Sequence, residues 1–319
     1  MDINKYTLFA DVAETHNFTK SGERLGYTQP GVSHILKSLE NELGFPLFIR
    51  TRHGVELTPN AKMFLPIVRE LIAVNEELEQ TVSSLKGLDM GHLTIAAYSS
   101  VSRIWLPPIL YKFQQKYPNI MIEVLQGGTD EIVDMVTNHI ADFGLMSKRH
   151  TSPLKWIPLY REPLMAILPK DDSHAADTTF SIQEFRNLPF IRSTDGVDYD
   201  VLSAIKDSGI HMNIHYQSRD DHTIVSMVAN HLGYSILPSL VIRGVENQIA
   251  ALPLDPFYDR ELGIALRAHE HLSPAALRFT QEVADDLPEI LKAEDVLVTS
   301  MASEMTLPKE AEPTEESFN

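Results

Sequence analysis

The sequence predicts an α/β multidomain protein in which three short helices and a β-hairpin precede one long helix and a region of alternating strands and helices. The chain has 319 residues, more than the roughly 250–300 over which a single hydrophobic core usually grows. Apolar residues recur at helical spacing over residues 1–86 and then fall into short strand-like runs separated by helical stretches. Length and periodicity together therefore predict several domains of different architecture.

The composition is typical of a globular protein that does not enter a membrane. Hydrophobic residues make up 43% of the chain and charged residues 22%, and no apolar run approaches the ~20 residues of a membrane span. The early acids and the amphipathic pattern of residues 1–18 do not resemble a secretion signal, so we expect a cytoplasmic protein. The absence of cysteine excludes disulfides, thiolate metal sites and cysteine nucleophiles.

The first 26 residues are predicted to form two helices in succession. Apolar residues at helical spacing from Tyr6 to Phe18, after an Asp2 that can cap a helix, predict the first. The second helix is short, with Thr19 as its candidate N-cap and Gly26 as a left-handed C-terminal end. A tight turn then leads into a third helix.

This third helix begins at Thr28, which can cap it, and Pro30 suits its first turn, where a missing N–H is harmless. Its polar face is predicted to carry Gln29, Ser33, His34 and Lys37. Short polar groups followed by a cation suit a helix that reads base edges in the DNA major groove and contacts phosphate. Any surface helix has a polar face, so this helix alone does not establish DNA binding.

A β-hairpin follows the third helix. Residues 47–58 read as two short strands around His53 and Gly54, with Arg50 and Arg52 near the base. Strands after a helix-turn-helix form a wing, and wing arginines suit phosphate or minor-groove contact. Residues 1–60 therefore predict a winged helix-turn-helix domain that binds duplex DNA. The predicted DNA contacts are Lys20, Thr28, Gln29, Pro30, Ser33, His34, Lys37, Arg50, Arg52 and His53.

The net charge of −17 opposes DNA binding only if the charge is evenly spread. Residues 1–60 hold six basic and seven acidic residues, whereas residues 93–319 hold 18 and 32. The acidity therefore belongs mainly to the later region, and a local positive face remains available in the first. The cations of that first segment gather at Lys20, Arg24, Lys37, Arg50 and Arg52.

Residues 59–90 predict a long linker helix followed by a hinge. Apolar residues recur in residues 59–86 at spacings of mostly four and three, as in a coiled-coil seam, while glutamates keep the remaining surface polar. Packing within one domain is the alternative, but the pattern favours a second chain. Pro66 predicts a kink because it lacks an N–H. The predicted dimerisation contacts are Met63, Ile67, Leu71, Val74, Leu78, Val82 and Leu85.

Residues 91–293 alternate strands and helices and predict two α/β subdomains. Subdomain I is expected at about 91–163 and 265–293, with a helix over 104–117. Subdomain II is expected at about 164–264, with a strand over 164–168 and a helix over 182–187. Residues 294–319 are acidic and poor in apolar side chains, which predicts a disordered tail.

Both regions of the sequence resemble the LysR-type transcriptional regulators. The N-terminal match includes Phe18–Ser21, Gln29–Ser33 and Leu43–Phe48, and the C-terminal match includes Leu106–Pro108, Tyr117-Pro118, Asp142–Gly144, Arg161–Leu164 and Gly233–Pro238. Gly31 and Asn60-Ala61 depart from the usual pattern. The resemblance implies a C-terminal effector-binding domain with the fold of type 2 periplasmic binding proteins, and a homodimer that assembles further into a homotetramer. It also implies promoter DNA and a small-molecule effector as partners, with RNA polymerase as a further candidate.

The candidate effector residues lie beyond the carboxyl ends of predicted strands or at helix starts, where open α/β sheets bind ligands. Hydroxyls, amides and a cation there suit a small anionic metabolite. Each Ser or Thr is also an ordinary helix-cap residue, and Arg192 is equally suited to bridging subdomains or facing solvent. The predicted effector contacts are Ser99, Ser100, Ser102, Thr129, Met146, Ser147, Arg192, Ser193, Thr194 and Thr223.

An enzyme is the main alternative class, and the sequence lacks its motifs. There is no Walker loop, no GxSxG elbow and no dinucleotide glycine fingerprint. The acids and histidines at 139–142 and 220–222 lack a second cluster at metal-ligand spacing. We therefore expect no catalytic residues, no metal and no cofactor. A transporter's solute-binding protein would need a signal sequence and would lack the helix-turn-helix. The sequence leaves the effector, the operator and the choice between activation and repression open.

Overall fold

The computed structural model describes residues 2–52, 54–87, 90–149, 153–194, 199–268 and 272–292. His53 of the predicted wing, residues 88–89 of the predicted hinge and the predicted tail at 294–319 lie outside the described residues. The chain forms two compact units, Met1–His92 with Thr137–Ile140, and the remainder. Among the described residues, no helix combines the length and apolar character needed to span a membrane.

The first unit contains the three predicted helices, the hairpin and the long helix. Asp2 caps the first helix by accepting from the amide of Asn4 at 3.1 Å, and Thr28 caps the third by accepting from the amide of Gly31 at 3.3 Å. Gly26, at φ 76°, ends the second helix in the left-handed conformation. The elements are α1 (Ile3–Thr15), α2 (Phe18–Leu25), α3 (Gln29–Leu43), β1 (Phe48–Thr51), β2 (Gly54–Leu57) and α4 (Pro59–Leu85).

The predicted cap of α2 is wrong. The side chain of Asn17, not Thr19, accepts hydrogen bonds from the amides of Thr19 at 2.9 Å and Lys20 at 3.1 Å. Thr19 already lies inside the helix, so its own amide needs the acceptor that Asn17 provides.

The hairpin is anchored to the end of α1. Gly54 has φ 137°, and a Cβ there would lie 2.4 Å from the carbonyl oxygen of His16. The next amide, of Val55, donates to that same carbonyl at 3.0 Å. Glycine is therefore required at this turn, because any side chain would push the wing away from α1.

An aromatic cluster joins the helices, the hairpin and the start of α4. The ring of Phe9 lies 5.6 Å from that of Phe48 and 5.9 Å from that of Phe64, and Phe18 meets Phe48 at 5.8 Å. Pro66 lies inside α4, which continues through it. The first turns of α4 thus belong to the core of the helix-turn-helix.

The second unit alternates strands and helices as predicted, with additional short elements. The elements after α4, in chain order, are β3 (Gly91–Ala97), α5 (Ser99–Ile104), α6 (Leu106–Lys116), β4 (Ile120–Gln126), α7 (Thr129–Thr137), β5 (Phe143–Ser147), β6 (Lys155–Pro169), β7 (Phe180–Ser181), a 3-10 helix (Ile182–Arg186), β8 (Pro189–Ser193), α8 (Tyr199–Ser208), β9 (Asn213–Ser218), α9 (Asp221–Ala229), β10 (Ser235–Pro238), α10 (Ser239–Ile242), β11 (Ile249–Asp255), β12 (Asp259–Leu266) and α11 (Pro274–Lys292).

Two predicted elements differ in extent or type, and one helix is additional. The helix predicted over 104–117 is α6, with Pro107 in its first turn. The additional helix is α5, in residues expected only to connect β3 to that helix. The strand predicted over 164–168 is the end of the much longer β6. The helix predicted over 182–187 is a 3-10 helix.

β6 crosses from one subdomain to the other. Its first part, up to Pro163, pairs antiparallel with β12, whereas its second part pairs with β10 and β11. In the larger sheet of the described residues the strand order is β4-β3-β5-β12-β6-β11-β7, with β10 on β6. β8 and β9 form a separate parallel pair. Glu162 and Arg260 are register partners at this crossing.

Candidate functional sites

The predicted DNA-contacting residues of the first unit lie on its surface. Ser33 is half-buried and His53 lies outside the described residues, while the other eight are exposed. The exposed set includes both ends of the polar face of α3, at Gln29 and Lys37, and both wing arginines. The residues that could reach DNA are therefore accessible, and their contacts with DNA stay a prediction.

The cations of residues 1–60 divide into two groups. Lys5 is paired with Glu42, and Arg24 lies 3.3 Å from Asp11 and 3.5 Å from Glu14. No ion pair involves the other four in the described part of the chain; these are Lys20, Lys37, Arg50 and Arg52.

This division refines the local cluster that the sequence indicated. Arg24 is neutralised by neighbouring acids, so it adds little to a positive surface. The unpaired cations are the four that the sequence assigned to DNA. The guanidinium carbon of Arg50 lies 5.8 Å from the ring centre of Phe18, which holds the wing arginine near α2.

The predicted dimerisation stripe of α4 is exposed to solvent within a single chain. Met63 is 77% exposed, Ile67 62% and Leu85 84%, and Val74, Leu78 and Val82 are exposed as well. Leu71 differs, because it packs partly against the helix-turn-helix core. A stripe of exposed large apolar side chains on one helix is characteristic of an interaction surface.

In the second unit, Arg260 and Glu162 form a fully buried ion pair. Nε of Arg260 donates to Oε2 of Glu162 at 2.7 Å, and neither side chain is exposed. Oε1 of Glu162 accepts from the backbone amide of Leu240 at 2.6 Å. Nη1 of Arg260 is buried and has no hydrogen-bond acceptor among the described residues. A buried donor of this kind is costly unless another group completes it.

Hydroxyl groups of subdomain I surround this arginine. Nη2 of Arg260 donates to Oγ of Ser100 at 3.3 Å, and the guanidinium carbon lies 5.2 Å from the ring centre of Tyr98. The hydroxyl of Tyr98 is hydrogen-bonded to Oγ1 of Thr129 at 2.6 Å. The residues after β3 and the start of α7 therefore converge on Arg260.

A carboxylate from subdomain II closes the cluster. Oγ of Ser147, at the end of β5, donates to Oδ2 of Asp200, in the first turn of α8, at 2.6 Å. Burial raises the pKa of the Asp200 carboxyl above its ordinary value, while the charge of Arg260 and the hydrogen bond from Ser147 act against that rise. We call Tyr98, Ser100, Thr129, Ser147, Asp200 and Arg260 the cleft cluster.

The other predicted effector residues lie apart from the cleft cluster or pack elsewhere. Met146 is buried in the core of subdomain I, and Oγ of Ser193 donates to Asp221 at 2.9 Å. The amide of Thr194 donates to the carbonyl of Ser218 at 2.9 Å, and that of Thr223 donates to Asp220 at 2.9 Å, as in a helix cap. The remaining three are the exposed Ser99, the half-buried Ser102, and Arg192, which lines a cavity in subdomain II.

Sequence reasoning missed four residues of this region. Glu162 and Arg260 carried no local signal, because each has charged or proline neighbours in the sequence and only the pairing of β12 with β6 brings them together. Tyr98 immediately follows a buried strand, and the hydroxyls of the serines beside it are the stronger sequence signal. Asp200 had no sequence signal, because only the tertiary fold brings α8 to the end of β5.

Subdomain II contains a separate cavity of about 280 Å³ between α8 and the β8–β9 pair. Its walls are mainly apolar and include Phe190, Val201, Ile205 and Ile210, with Arg192 as a cation.

Comparisons with known proteins identify both regions of the chain. Residues 3–62 match the family model for bacterial regulatory helix-turn-helix proteins of the lysR family, and residues 86–288 match the LysR substrate binding domain. The chain is 30% identical over 283 residues to the uncharacterized HTH-type transcriptional regulator YbhD of Escherichia coli (strain K12), an alignment that covers 87% of this chain and 89% of YbhD.

Two solved structures share the fold. Full-length OxyR from Pseudomonas aeruginosa, solved as a variant with one cysteine replaced by aspartate, aligns with a TM-score of 0.69 at 22% identity, covering 94% of this chain and 96% of that one. Full-length CbnR in complex with its target DNA aligns with a TM-score of 0.63 at 20% identity, covering 89% and 99%.

Proposed function

The chain belongs to the LysR family of bacterial transcriptional regulators, and on that basis we propose that a small carboxylate-bearing metabolite, bound between its C-terminal subdomains, controls its action at promoters. One observation carries the proposal: a buried arginine with an uncompleted donor lies among hydroxyl groups where the two subdomains meet. Regulation, rather than catalysis, is the activity of the family and of the relatives that the chain resembles.

The helix-turn-helix is proposed to bind duplex promoter DNA. CbnR, which shares the fold, has been solved with its target DNA. In this chain α3 would enter the major groove with Gln29, Ser33 and His34 near base edges. Lys20, Lys37, Arg50 and Arg52 would contact phosphates, because they have no competing acidic partner among the described residues. A protein acting on promoters would work in the cytoplasm, and RNA polymerase is a candidate partner there.

A homodimer is proposed to form along the exposed stripe of α4. Burying that stripe against a second copy would remove several large apolar side chains from water and place two DNA-binding domains on two half-sites. The second unit has exposed apolar residues of its own, including Tyr111 and Met121 of subdomain I and Ile214 and Tyr216 of subdomain II. A further contact through such residues, in addition to the α4 stripe, would extend the dimer to a homotetramer.

The chemistry of the cleft cluster suggests what the effector contains. Arg260 supplies a free donor, and the hydroxyls of Ser100, Thr129 and Ser147 supply further polar contacts for a carboxylate. Asp200 is an acceptor and, when ionised, repels a second anion. We therefore expect a small carboxylate that also carries a hydroxyl or ammonium group facing Asp200.

Effector binding requires the two subdomains to separate at the cleft cluster. The hydrogen bond between Ser147 and Asp200 joins the two subdomains directly. While the subdomains are in contact there, Nη1 of Arg260 is buried and cannot reach a ligand. A ligand that binds the separated form better shifts the population towards it. The resulting rotation of the subdomains would change the spacing of the paired DNA-binding domains, and hence promoter binding or activation.

A thermal-shift screen of small carboxylates against the purified protein tests the effector site. Stabilisation by a hydroxy or amino carboxylate should be lost in Ser100→Ala and Thr129→Ala. Ser203→Ala, an exposed serine of α8, is the matched control and should respond like the wild type. Stabilisation that survives both cleft substitutions would refute the proposed site.

A further inference from the structure

The cavity in subdomain II is distinct from the cleft cluster and has a different chemical character. It measures about 280 Å³ and lies between α8 and the β8–β9 pair. Phe190, Val201 and Ile210 in its walls are almost fully buried, so the space reaches into the core of the subdomain. Leu202 lies at its lining and is 39% exposed, which places it near the opening.

The space opens to solvent near Leu202, so it is a surface pocket and not a packing defect of the interior. Ligand pockets are typically concave and mostly apolar, with a few polar groups in the wall. An apolar cavity of roughly 150 Å³ stays dry and binds benzene. The cavity in subdomain II is larger than that, so it has room for an aromatic ring or a short alkyl chain.

The polar side chains of the cavity point to a carboxylate head group. Side chains alternate along β8, and Phe190 and Arg192 lie on the same face of the strand. The hydroxyl of Ser193 is directed to Asp221, at 2.9 Å. The basic side chains in the wall are Arg192 and His211. Arg192 is the better suited of the two to an anion, because a guanidinium carries several donors and binds a carboxylate through two parallel hydrogen bonds.

We propose that this cavity, the α8 pocket, is a second ligand site that binds an amphipathic monocarboxylate. The apolar part of the ligand fills the space beside Phe190 and Ile205, and its carboxylate binds Arg192. The site goes beyond the effector cleft, although the two share a helix. Val201 lines the α8 pocket, whereas the preceding residue, Asp200, bonds to Ser147 in the cleft cluster. A ligand in the α8 pocket would thus hold the helix that positions Asp200.

Isothermal titration of the full-length protein with n-octanoate tests this site, with octanamide as the uncharged counterpart. Arg192→Gln removes the cation, and Leu202→Trp obstructs the opening at a position where a larger side chain has room in solvent. Arg186→Gln is the matched arginine control, because Arg186 is exposed in the same subdomain and does not line the α8 pocket. Ser100→Ala separates this site from the cleft.

The wild type should bind octanoate about tenfold more tightly than octanamide, which corresponds to one charge-assisted contact. Arg192→Gln should abolish that preference, and Leu202→Trp should weaken both ligands. Arg186→Gln and Ser100→Ala should bind octanoate like the wild type. Absence of saturable octanoate binding, or wild-type binding by both pocket variants, would overturn the proposal. If octanoate does not bind and Leu202→Trp changes the oligomeric state, the proposal is likewise overturned. That result would indicate that a second copy of the chain covers the pocket.

Discussion

Arg260 and Glu162 face each other across β12 and β6 and form a 2.7 Å hydrogen-bonded ion pair from which solvent is excluded. The pair lies where β6 passes from one subdomain to the other. Because Glu162 already balances the charge of Arg260, the unused donor of Arg260 can contact a ligand without leaving a carboxylate unpaired. The pair thus balances its own buried charges at the crossing and presents a donor to the cleft cluster.

Breaking this pair should destabilise the protein strongly. Glu162→Gln leaves the buried guanidinium without its counter-charge, which typically costs about 3–5 kcal/mol. The matched control is Asp259→Asn, which removes the neighbouring pair of Asp259 with the half-exposed Arg161 at 3.0 Å and should cost less than about 1 kcal/mol. Urea unfolding followed by circular dichroism measures both. Equal losses in the two variants would show that the buried pair has no special role.

Ionisation of Asp200 should make stability depend on pH. Burial raises the pKa of this carboxyl in the folded protein, so its stabilising contribution is complete below the ordinary carboxyl pKa and is lost as pH rises through the raised value. Asp200→Asn keeps a neutral hydrogen-bonding side chain and should therefore raise Tm at neutral pH. The gain should shrink as the pH falls towards about 4, the ordinary pKa of an aspartate.

Thermal unfolding across the range from mildly acidic to neutral pH measures this effect. Asp207→Asn, an exposed aspartate of the same helix, should give no comparable pH-dependent gain. A constant difference between wild type and Asp200→Asn across that range would contradict the raised pKa.

The division of cations in residues 1–60 predicts which of them contribute to DNA affinity. Arg52→Gln and Lys37→Gln should weaken binding to the upstream region of the protein's own gene. Each should also reduce the slope of log K against log salt by about 1, as expected for one lost phosphate contact. Arg24→Gln, which removes an arginine paired with Asp11 and Glu14, should change neither. Fluorescence anisotropy at several salt concentrations measures this, and a loss in Arg24→Gln equal to that in Arg52→Gln would contradict the assignment.

The stripe of α4 predicts the determinant of dimerisation. Leu78→Asp places a charge at the centre of the proposed seam and should shift the protein towards monomer in sedimentation-velocity experiments. Glu70→Gln, on the exposed polar surface of the same helix, should leave the oligomeric state unchanged. If Leu78→Asp sediments like the wild type, the stripe does not hold the two copies together.

The order of elements could be predicted from the sequence, because caps, turns and periodicity are local. Thr28 and Gly26 marked helix ends, and the alternation after residue 91 marked the α/β region. Ser100, Thr129 and Ser147 could be predicted for the same reason, since each lies at a strand end or at a helix start. Asp200 and Arg260 could not, because only tertiary contacts bring them to the cleft cluster. Arg260 and Glu162 are 98 positions apart in the chain, and only the register of β12 on β6 pairs them.

The full length of β6 could not be predicted from the local sequence either. Its first part contains Pro158 and charged residues, so it lacks the apolar run that indicates a buried strand. Pairing with β12 nevertheless makes it a strand through residue 163. The helix predicted over 104–117 is α6, whereas α5, which ends at Ile104, gave no periodic signal because it is only six residues long.

Control of DNA binding through the cleft cluster is tested most directly by the effect of the effector on promoter affinity. Promoter affinity is measured by fluorescence anisotropy with and without the carboxylate that most stabilises the wild type. We expect that ligand to change the affinity of the wild type for its promoter by at least about fivefold, the usual lower range of allosteric coupling. It should have no effect on Ser100→Ala, while Ser203→Ala responds fully. An equal response in Ser100→Ala, or no response in the wild type, would contradict control of DNA binding through the cleft cluster.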